Sequence, residues 1–201
     1  MKGGVPVLGR FVEDPGTPVR HDPEPERFRQ VLGHFATGIA IITASQAGEP
    51  VGFSCQSFAA LSLDPPLVLF CPARTSSTWP RIELAGFFCA NVLTAEQGDL
   101  ATLFGRSRPD RFDGIEWVPD ANGSPIIDGV LTWIGCQIID VHTIGDHYVV
   151  VGQVLELGEC GPDRPLLFYR GRYGTSAVPA AEGPPEVVET MLAWPKHADW
   201  M

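Results

Sequence analysis

Two long apolar stretches that flank a short turn constrain the fold more than any other feature of this sequence. Val130–His142 and His147–Leu157 are rich in Val and Ile, residues that favour β-strands. Gly145-Asp146 lies between them, and such a pair suits the backbone of a tight hairpin turn. The pattern therefore predicts two long antiparallel strands joined by a hairpin.

Shorter apolar stretches occur before and after this hairpin. They are Ile39–Ser45, Val51–Phe58, Leu67–Cys71, Phe87–Leu93 and Leu166–Tyr169, with a short sixth at Ile115–Val118. Two or three helices are predicted between them, over Phe28–Phe35, around Trp79–Leu84 and from Thr94 to about Phe104. Because strands and helices do not alternate regularly, the sequence favours an antiparallel barrel with peripheral helices over a doubly wound parallel sheet.

The chain has 201 residues, enough for one domain with a sizeable core. We expect residues 1–23 to form a flexible arm, residues 24–176 the folded domain, and residues 177–201 a tail with a short helix near Val187–Ala193. Asp22 is a candidate N-cap for the first helix of the domain. The 22 Gly and 19 Pro indicate many turns, which suits a β-rich fold better than a helical bundle.

Charge and cysteine content argue against several classes of function. The formal net charge is −10 and no run of Lys or Arg is present, which argues against a nucleic-acid partner. No apolar run approaches the roughly 18 residues that a membrane-spanning helix needs. The five cysteines form no CxxC pair, and most lie within apolar segments, as buried reduced thiols do. We therefore expect a cytoplasmic protein with no membrane or nucleic-acid partner.

The loop Arg74–Pro80 joins a predicted buried strand to a predicted helix and is rich in hydroxyl groups. Ser77 or Thr78 can cap that helix, and Pro80 fits its first turn. Hydroxyls, free backbone N–H groups and Arg74 would then converge on a single phosphate group. A plain capped helix explains the same residues, so the loop alone leaves both interpretations open.

Two further segments carry polar side chains. In Gly52–Phe58, small and amide side chains suit the polar edge of a planar ring, although an ordinary barrel strand explains them equally well. His142 and His147 flank the predicted hairpin turn, but no third ligand lies nearby, so no metal site is predicted. Common nucleotide-binding and hydrolase motifs, such as GxGxxG and GxSxG, do not occur.

Six short motifs occur together and in a fixed order. They are Thr37-Gly38-Ile39, Gly52-Phe-Ser-Cys-Gln-Ser-Phe58, Leu61-Ser-Leu-Asp-Pro-Pro-Leu67, Phe88-Cys-Ala-Asn-Val-Leu93, Gly145-Asp-His147 and Phe168-Tyr-Arg-Gly171. With them, residues 26–174 resemble the flavin reductase family of FMN-binding split barrels, particularly the reductase components of two-component monooxygenases that act on steroid A rings or phenols. The resemblance implies a mainly β fold, an antiparallel Greek-key split β-barrel with a few peripheral helices.

The resemblance also implies where ligands bind. The residues implied to contact flavin are Pro50, Val51, Gly52, Phe53, Ser54, Gln56, Ser57, Cys71, Pro72, Ala73, Ser77, Thr78, Leu103, Phe104 and Arg170. His147 falls where the family places a residue beside the nicotinamide, which makes it the candidate catalytic residue, with a role in the hairpin alone as the alternative. Asn91 is expected to hold backbone segments together rather than to touch flavin.

The implied activity is reduction of FMN or FAD by NADH, or less readily NADPH, in a homodimer that supplies reduced flavin to a separate oxygenase. Hydride transfer between stacked rings needs no protein nucleophile, which agrees with the absence of a catalytic triad. Family members often carry Lys or Arg closer to the Ser/Thr pair than Arg74 is here, so the cation that meets the phosphate is left unassigned. A pyridoxamine-phosphate-oxidase-like or deazaflavin-dependent enzyme and a non-catalytic flavin- or haem-binding module are the alternatives.

Overall fold

A computed structural model describes residues 23–108 and 110–177. Its helices are α1 (Pro25–Leu32), α2 (Trp79–Ala85) and α3 (Gly98–Gly105), the last preceded by a 3-10 turn at Ala95–Gln97. Its strands are β1 (Thr37–Gly38), β2 (Ala40–Gln46), β3 (Glu49–Cys55), β4 (Ala59–Leu63), β5 (Pro66–Phe70), β6 (Phe87–Val92), β7 (Trp117–Pro119), β8 (Pro125–Ile127), β9 (Thr132–Ile144), β10 (His147–Leu157), β11 (Leu166–Tyr169) and β12 (Arg172–Thr175). Within these residues, no helix has the length and hydrophobicity to cross a membrane.

The main sheet has seven strands in the order β3-β2-β6-β9-β10-β5-β4, and all of its pairs are antiparallel. The predicted hairpin is confirmed: β9 and β10 pair antiparallel, and Gly145 in the turn has a φ of 61°. Two smaller sheets, β1-β11-β12 and β7-β8, accompany the main one. The prediction of a mainly antiparallel β fold with peripheral helices is therefore confirmed.

The main sheet curves strongly enough to bring distant strands together. In a flat sheet, β3 and β5 would lie five strand spacings apart, which is roughly 24 Å. Instead, the ring centroids of Phe53 on β3 and Phe70 on β5 lie 6.2 Å apart. Beyond the strand ends, Ser57 Oγ accepts a hydrogen bond of 2.8 Å from the Cys71 backbone N–H. This curvature closes the sheet into a barrel and places the ends of β3 and β5 side by side.

Aromatic side chains fill the inside of the barrel. Phe70 is fully buried, and its ring centroid lies 4.9 Å from that of Phe88 and 5.8 Å from that of Trp79. Trp79 belongs to α2, which thereby covers one end of the barrel core. A second cluster, around Ile41, Leu93 and Phe104, packs α3 against β2, and α3 also contacts β3. Both helices are thus fixed by buried aromatic side chains.

Asn91 is buried in a polar network that joins three strands. Its Nδ2 donates to Thr43 Oγ1 at 3.0 Å on β2 and to the Pro125 carbonyl at 3.2 Å on β8. Its Oδ1 accepts a hydrogen bond of 2.8 Å from the Ile127 backbone N–H. Asn91 lies on β6 and is fully buried. The expectation that it holds backbone segments together is confirmed.

Several predicted boundaries differ from the observed ones. The first helix begins at Pro25 after Glu24, and it ends at Leu32 rather than at Phe35. The candidate cap Asp22 lies outside the described residues, as do the predicted terminal helix at 187–193 and nearly all of the predicted arm and tail. Four short strands, β1, β4, β8 and β12, were not predicted because each contains or borders turn residues.

Candidate active site

A cavity of about 570 Å³ opens where the ends of β3 and β5 meet the β9–β10 turn. We call this cavity the slot. The predicted site residues that line it are Phe53, Ser54, Gln56, Ser57, Cys71, Pro72, Ala73, Ser77, Thr78, Phe104 and His147. The structure therefore gathers most of the predicted ligand-binding residues from four separate stretches of the chain around one opening.

Ser57 joins two walls of the slot. Its Oγ lies 3.3 Å from Cys55 Sγ, and it accepts the Cys71 backbone N–H at 2.8 Å. Cys55 is buried and lines the slot, although sequence reasoning had not selected it. Burial raises the pKa of the Cys55 thiol, so it stays protonated and makes that wall neutral. The part of the slot lined by Phe53, Cys55 and Cys71 is therefore neutral.

The hydroxyl-rich loop before α2 also lines the slot. Thr78 is the N-cap residue of α2, as predicted, but its side chain makes no capping hydrogen bond. The Trp79 backbone N–H donates instead to Ser76 Oγ, at 3.1 Å. Ser77 Oγ is left at the exposed surface of the slot, and Thr78 Oγ1 accepts a bond from elsewhere in the chain.

The donor to Thr78 is Arg111, which sequence reasoning missed. Its Nη1 lies 2.8 Å from Thr78 Oγ1 and also donates to the Gly52 carbonyl, and its Nε donates to the Arg106 carbonyl at 2.7 Å. Arg111 is 8% exposed, and burial lowers the pKa of its guanidinium. An arginine remains charged despite such a shift, because its ordinary pKa lies far above neutral pH. The slot therefore contains a nearly buried cation.

Arg111 has no acidic partner among residues 23–108 and 110–177, where the ion pairs involve other side chains. Its three recorded acceptors are two carbonyls and a hydroxyl, none of which carries a full charge. A buried charge without a counter-ion lowers the stability of the folded protein, and a bound anion removes that cost. In the sequence, Arg111 directly follows the turn-forming residue Asp110, and this is the one local feature that could have drawn attention to it. The sequence does not show that the fold brings Arg111 to the slot.

Gly52 allows α3 to approach the barrel at this point. A Cβ atom at Gly52 would lie 3.0 Å from the Ile42 carbonyl oxygen, 3.1 Å from Thr43 Cγ2 and 3.2 Å from Phe104 Cε1. These separations are too short for an ordinary side chain, so glycine is the residue that fits. At the same position, the Gly52 carbonyl accepts a hydrogen bond from Arg111 Nη1.

His147 reaches the slot from the turn between β9 and β10. Its backbone forms a bridge with Ala73, and the Tyr148 N–H donates to the Pro72 carbonyl at 2.9 Å. Asp146 Oδ1 lies 2.8 Å from His147 Nδ1, and this contact lowers the pKa of the Asp146 carboxyl. The hairpin is thus attached to the loop that lines the slot, with one imidazole nitrogen held by Asp146.

The other histidine of the hairpin points elsewhere. His142 Nε2 lies 3.0 Å from Asp140 Oδ2 at the exposed surface, and His142 does not line the slot. In the part of the chain that the structure describes, no cluster of three metal-binding side chains occurs.

The remaining predicted site residues lie outside the slot. Pro50, Val51 and Gly52 line a smaller recess of about 280 Å³ that adjoins it. Leu103 packs against the core around Phe104. Arg170 lies in the turn after β11, where its N–H donates to the Gly33 carbonyl at 2.9 Å, and within the described chain it borders a different groove.

The residues of the slot fit a flavin. A neutral wall that combines apolar side chains with the polar Gln56 and Ser57 suits a fused aromatic ring with polar edges, and Arg111 with the Ser77 and Thr78 hydroxyls suits a phosphate. The uncompensated charge of Arg111 is the specific observation behind this fit, because a phosphate would supply the missing anion.

Comparison with known proteins agrees with this fit. Over 150 residues, the chain is 55% identical to the reductase subunit HsaB of a flavin-dependent monooxygenase from Rhodococcus jostii. This alignment covers 75% of this chain and 77% of that protein. The crystal structure of nitrilotriacetate monooxygenase component B from Mycobacterium thermoresistibile superposes with a TM-score of 0.74 at 51% identity, covering 81% of this chain and 93% of that one.

A third relative has bound nucleotides. The NADH:FAD oxidoreductase SgcE6 of Streptomyces globisporus, in complex with NAD and FAD fragments, superposes with a TM-score of 0.73 at 31% identity, covering 79% of this chain and 98% of that one. Residues 32–177 also match the model of the flavin reductase like domain. The fold of this chain is therefore the split barrel of flavin reductases, and the chain belongs to the flavin reductase like family.

Proposed function

We propose that this flavin reductase uses NADH to reduce FMN or FAD and passes the reduced flavin to a separate monooxygenase that acts on an aromatic substrate. The observation that carries the proposal is the slot, whose lining combines a neutral wall with an uncompensated buried arginine. A flavin has two matching parts, a planar ring and a phosphate.

The proposed ring site is the wall formed by Phe53, Cys71, Pro72 and Ala73. Phe53 packs on the barrel core through Phe70, so its ring is held in place. Ser57 fixes Cys71 through its backbone N–H. A wall fixed in this way holds a ring in one plane, which hydride transfer requires because both rings must stack at about 3–3.5 Å.

The proposed phosphate site consists of Arg111, Thr78 and Ser77. Thr78 Oγ1 already accepts a bond from Arg111, so its own hydrogen is free to donate to a phosphate oxygen. Arg111 is held by two carbonyl groups, and little side-chain freedom is lost when an anion binds. In this proposal, Arg111 takes the place of a basic residue within the loop.

His147 is the proposed residue on the nicotinamide side. If Nδ1 carries the proton and donates to Asp146, Nε2 presents a lone pair that accepts a bond from the nicotinamide amide. Hydride passes from the nicotinamide C4 to the flavin N5, and no protein nucleophile takes part. The role of His147 is therefore to orient the nicotinamide. The proposed preference for NADH is supported by the name of SgcE6 as an NADH:FAD oxidoreductase.

We further propose a homodimer, supported by the exposed apolar face of α1. Phe28, Val31 and Leu32 lie on this face, each about half exposed, and Phe35 just beyond it is 75% exposed. Within the part of the chain that the structure describes, the helix has no buried residue. An amphipathic helix without an apolar neighbour is typical of an interface between subunits.

Steady-state assays with the purified protein test the proposal. NADH and NADPH are each offered with FMN, with FAD and with no flavin, and absorbance at 340 nm is followed. We expect oxidation that requires flavin and is faster with NADH at equal concentration. Tight binding of flavin without oxidation of either nucleotide would instead support a flavin-binding module, and absence of both would refute the proposal.

A further inference from the structure

Two free thiols line the slot, and the proposed hydride transfer uses neither of their sulfur atoms. Cys55 is the last residue of β3, and Cys71 directly follows β5. Cys55 is 4% exposed, whereas Cys71 is half-buried. The main sheet places β3 and β5 apart in strand order, so only closure of the barrel brings these two cysteines to one opening.

Ser57 connects the two cysteines. Its Oγ lies 3.3 Å from Cys55 Sγ, 2.8 Å from the Cys71 backbone nitrogen and 3.3 Å from the Cys71 carbonyl oxygen. Burial raises the pKa of the Cys55 thiol, and hydrogen bonds from Ser57 and from the Cys71 backbone oppose this rise only in part. The Cys55 sulfur therefore lies within hydrogen-bonding reach of the Cys71 main chain. At such a separation, rotation of the Cys71 side chain can bring the two sulfur atoms together in a disulfide.

The other three cysteines lack this combination of access and proximity. Cys89 and Cys136 are buried and do not line the slot. Cys160 is exposed and does not line the slot either. Cys55 and Cys71 are thus the two of the five cysteines that a small oxidant can reach through a single opening.

We propose that hydrogen peroxide oxidises Cys55 and Cys71 to a disulfide when the slot holds no flavin, and that this disulfide weakens flavin binding. Hydrogen peroxide forms when reduced flavin meets dioxygen before it reaches an oxygenase, so the oxidant arises from the product of the proposed reaction. The effect on flavin rests on the proposed function, whereas disulfide formation depends only on the two thiols.

The oxidation takes place in two balanced steps. The Cys71 sulfur attacks hydrogen peroxide, an S–O bond forms, the O–O bond breaks, and hydroxide leaves with the proton of the Cys71 thiol as water. The Cys55 sulfur then attacks the sulfenic acid at Cys71, an S–S bond forms, the S–O bond breaks, and a second water carries away the proton of the Cys55 thiol. Two thiols lose two electrons in total, and the peroxide gains them.

The disulfide changes the wall on which the flavin ring is proposed to lie. Cys71 belongs to that wall, and the bond to Cys55 turns its sulfur away from its position there. The ring then loses contacts with the wall, which weakens binding. A bound flavin has the converse effect, because its ring covers Cys71 and keeps peroxide out.

Peptide mass spectrometry of the flavin-free protein, treated with hydrogen peroxide and digested with trypsin, tests the inference. No Lys or Arg lies between Arg29 and Arg74, so trypsin leaves residues 30–74 as one peptide whose only cysteines are Cys55 and Cys71. A disulfide within this pair removes two hydrogens from that peptide. Cys136 and Cys160 share a later tryptic peptide and provide an internal reference, one buried and one exposed.

We expect the peptide 30–74 to lose two hydrogens about tenfold faster than the reference peptide is oxidised, and dithiothreitol to reverse the change. Saturating FMN should slow this loss about tenfold, because the ring shields Cys71. In the oxidised protein, the Kd for FMN should be about tenfold higher than in the reduced protein, and dithiothreitol should restore it. Fluorescence titration measures both constants.

Two variants separate a thiol pair from a single reactive thiol. Cys55→Ser should gain one oxygen at Cys71, which dimedone traps as the sulfenic acid, and should not lose two hydrogens. Cys136→Ala is the matched control, because it removes a buried thiol elsewhere in the barrel and should still form the disulfide.

Several results would overturn the inference. In wild-type protein these are addition of oxygen at Cys71 without loss of hydrogens, resistance of both thiols to peroxide, and a disulfide that leaves the Kd for FMN unchanged. A disulfide that forms in a protein whose reduced state neither binds flavin nor oxidises NADH would refute the proposed function and leave the oxidation of the thiol pair supported.

Discussion

Arg111 Nη1 lies 2.8 Å from Thr78 Oγ1, a contact between residues 33 positions apart in the chain. It connects the stretch after α3 with the hydroxyl-rich loop before α2. Through this contact a nearly buried cation stands beside the two hydroxyls, although the loop itself has only the exposed Arg74. The proposed phosphate site is therefore assembled by the fold rather than by one continuous motif.

Replacing Arg111 should weaken binding of the flavin phosphate. We expect Arg111→Met to raise the Kd for FMN by about tenfold to a hundredfold, since a charge-assisted hydrogen bond is lost. Arg111→Lys should recover part of the affinity because it keeps the positive charge. Flavin fluorescence titration measures both constants, and thermal unfolding establishes that the variants are folded.

Riboflavin, which has no phosphate, is the control ligand for this change. Its Kd should differ less than threefold between wild-type protein and Arg111→Met. If riboflavin and FMN weakened by the same factor, Arg111 would act on the shape of the slot and not on the phosphate.

Replacing His147 should affect NADH more than flavin. We expect His147→Ala to raise the KM for NADH roughly fivefold, the effect of losing one neutral hydrogen bond, and to change the flavin Kd less than twofold. His142→Ala is a matched control, because His142 lies on the same hairpin but bonds Asp140 at the surface. An unchanged KM in His147→Ala would remove this residue from the nicotinamide site.

The contact between Asp146 and His147 should persist at neutral pH and be lost in acid. His147 lowers the pKa of Asp146 in the folded protein, so this contact favours folding above the unfolded pKa of the carboxyl, about 3.9. Its contribution disappears as pH falls through the lower, folded pKa. We therefore compare the KM for NADH in Asp146→Asn with that in wild type and take their ratio. Between pH 6 and 8, this ratio should show no change that follows titration of the Asp146 carboxyl. A ratio that followed carboxylate titration in this range would contradict the assignment.

Thiol labelling should distinguish the cysteines by burial and by flavin. Cys160 is exposed and Cys71, half-buried, lines the slot, whereas Cys55, Cys89 and Cys136 are buried. Burial raises the pKa of Cys89 and Cys55, and that of Cys136 to about 12, so these thiols carry little reactive thiolate. Iodoacetamide at pH 8 should modify Cys160 and Cys71 first.

Saturating FMN should slow the modification of Cys71 at least tenfold and leave the rate at Cys160 unchanged. Peptide mass spectrometry at several times gives both rates from one sample, with Cys160 as the internal reference. Equal rates at Cys71 with and without FMN would place the flavin outside the slot.

Replacing Asn91 should destabilise the barrel without touching the slot. Asn91→Leu leaves the buried Ile127 N–H without its acceptor and removes one of the two donors to the Pro125 carbonyl, the other being Thr43 Oγ1, which should lower the free energy of unfolding by about 3 kcal/mol. Urea unfolding measures the change, and the exposed Asn122→Ala should lower it by less than about 0.5 kcal/mol. A loss below about 1 kcal/mol in Asn91→Leu would show that water or other groups replace the network.

The sequence predicted the parts of the fold that depend on local pattern. The β9–β10 hairpin follows from two β-branched stretches and Gly145-Asp146, and α2 follows from the Trp79 segment. The short strand β8 could not be predicted, because Pro125–Ile127 is held by Asn91 from a distant strand. Short elements of this kind owe their conformation to tertiary contacts and not to their own residues.

The same division applies to the site. Ser77, Thr78 and the segment around Phe53 were selected from the sequence by local chemistry and by family resemblance, and the slot contains them. Arg111 was missed because its partners, Gly52 and Thr78, are remote in the chain. Arg170 was selected by resemblance, yet in a single chain it borders a separate groove. Convergence of remote residues is a property of barrel closure, which local pattern does not specify.

Anaerobic reduction of flavin in the slot tests the central claim most directly. The protein is mixed with one equivalent of FMN or FAD and then with NADH in a stopped-flow instrument, and absorbance at 450 nm is recorded. The account predicts bleaching of the flavin at a rate that saturates with NADH, and much slower bleaching at the same concentrations in Arg111→Met with FMN. A flavin that stays oxidised with excess NADH, or bleaches equally fast without protein, would contradict it.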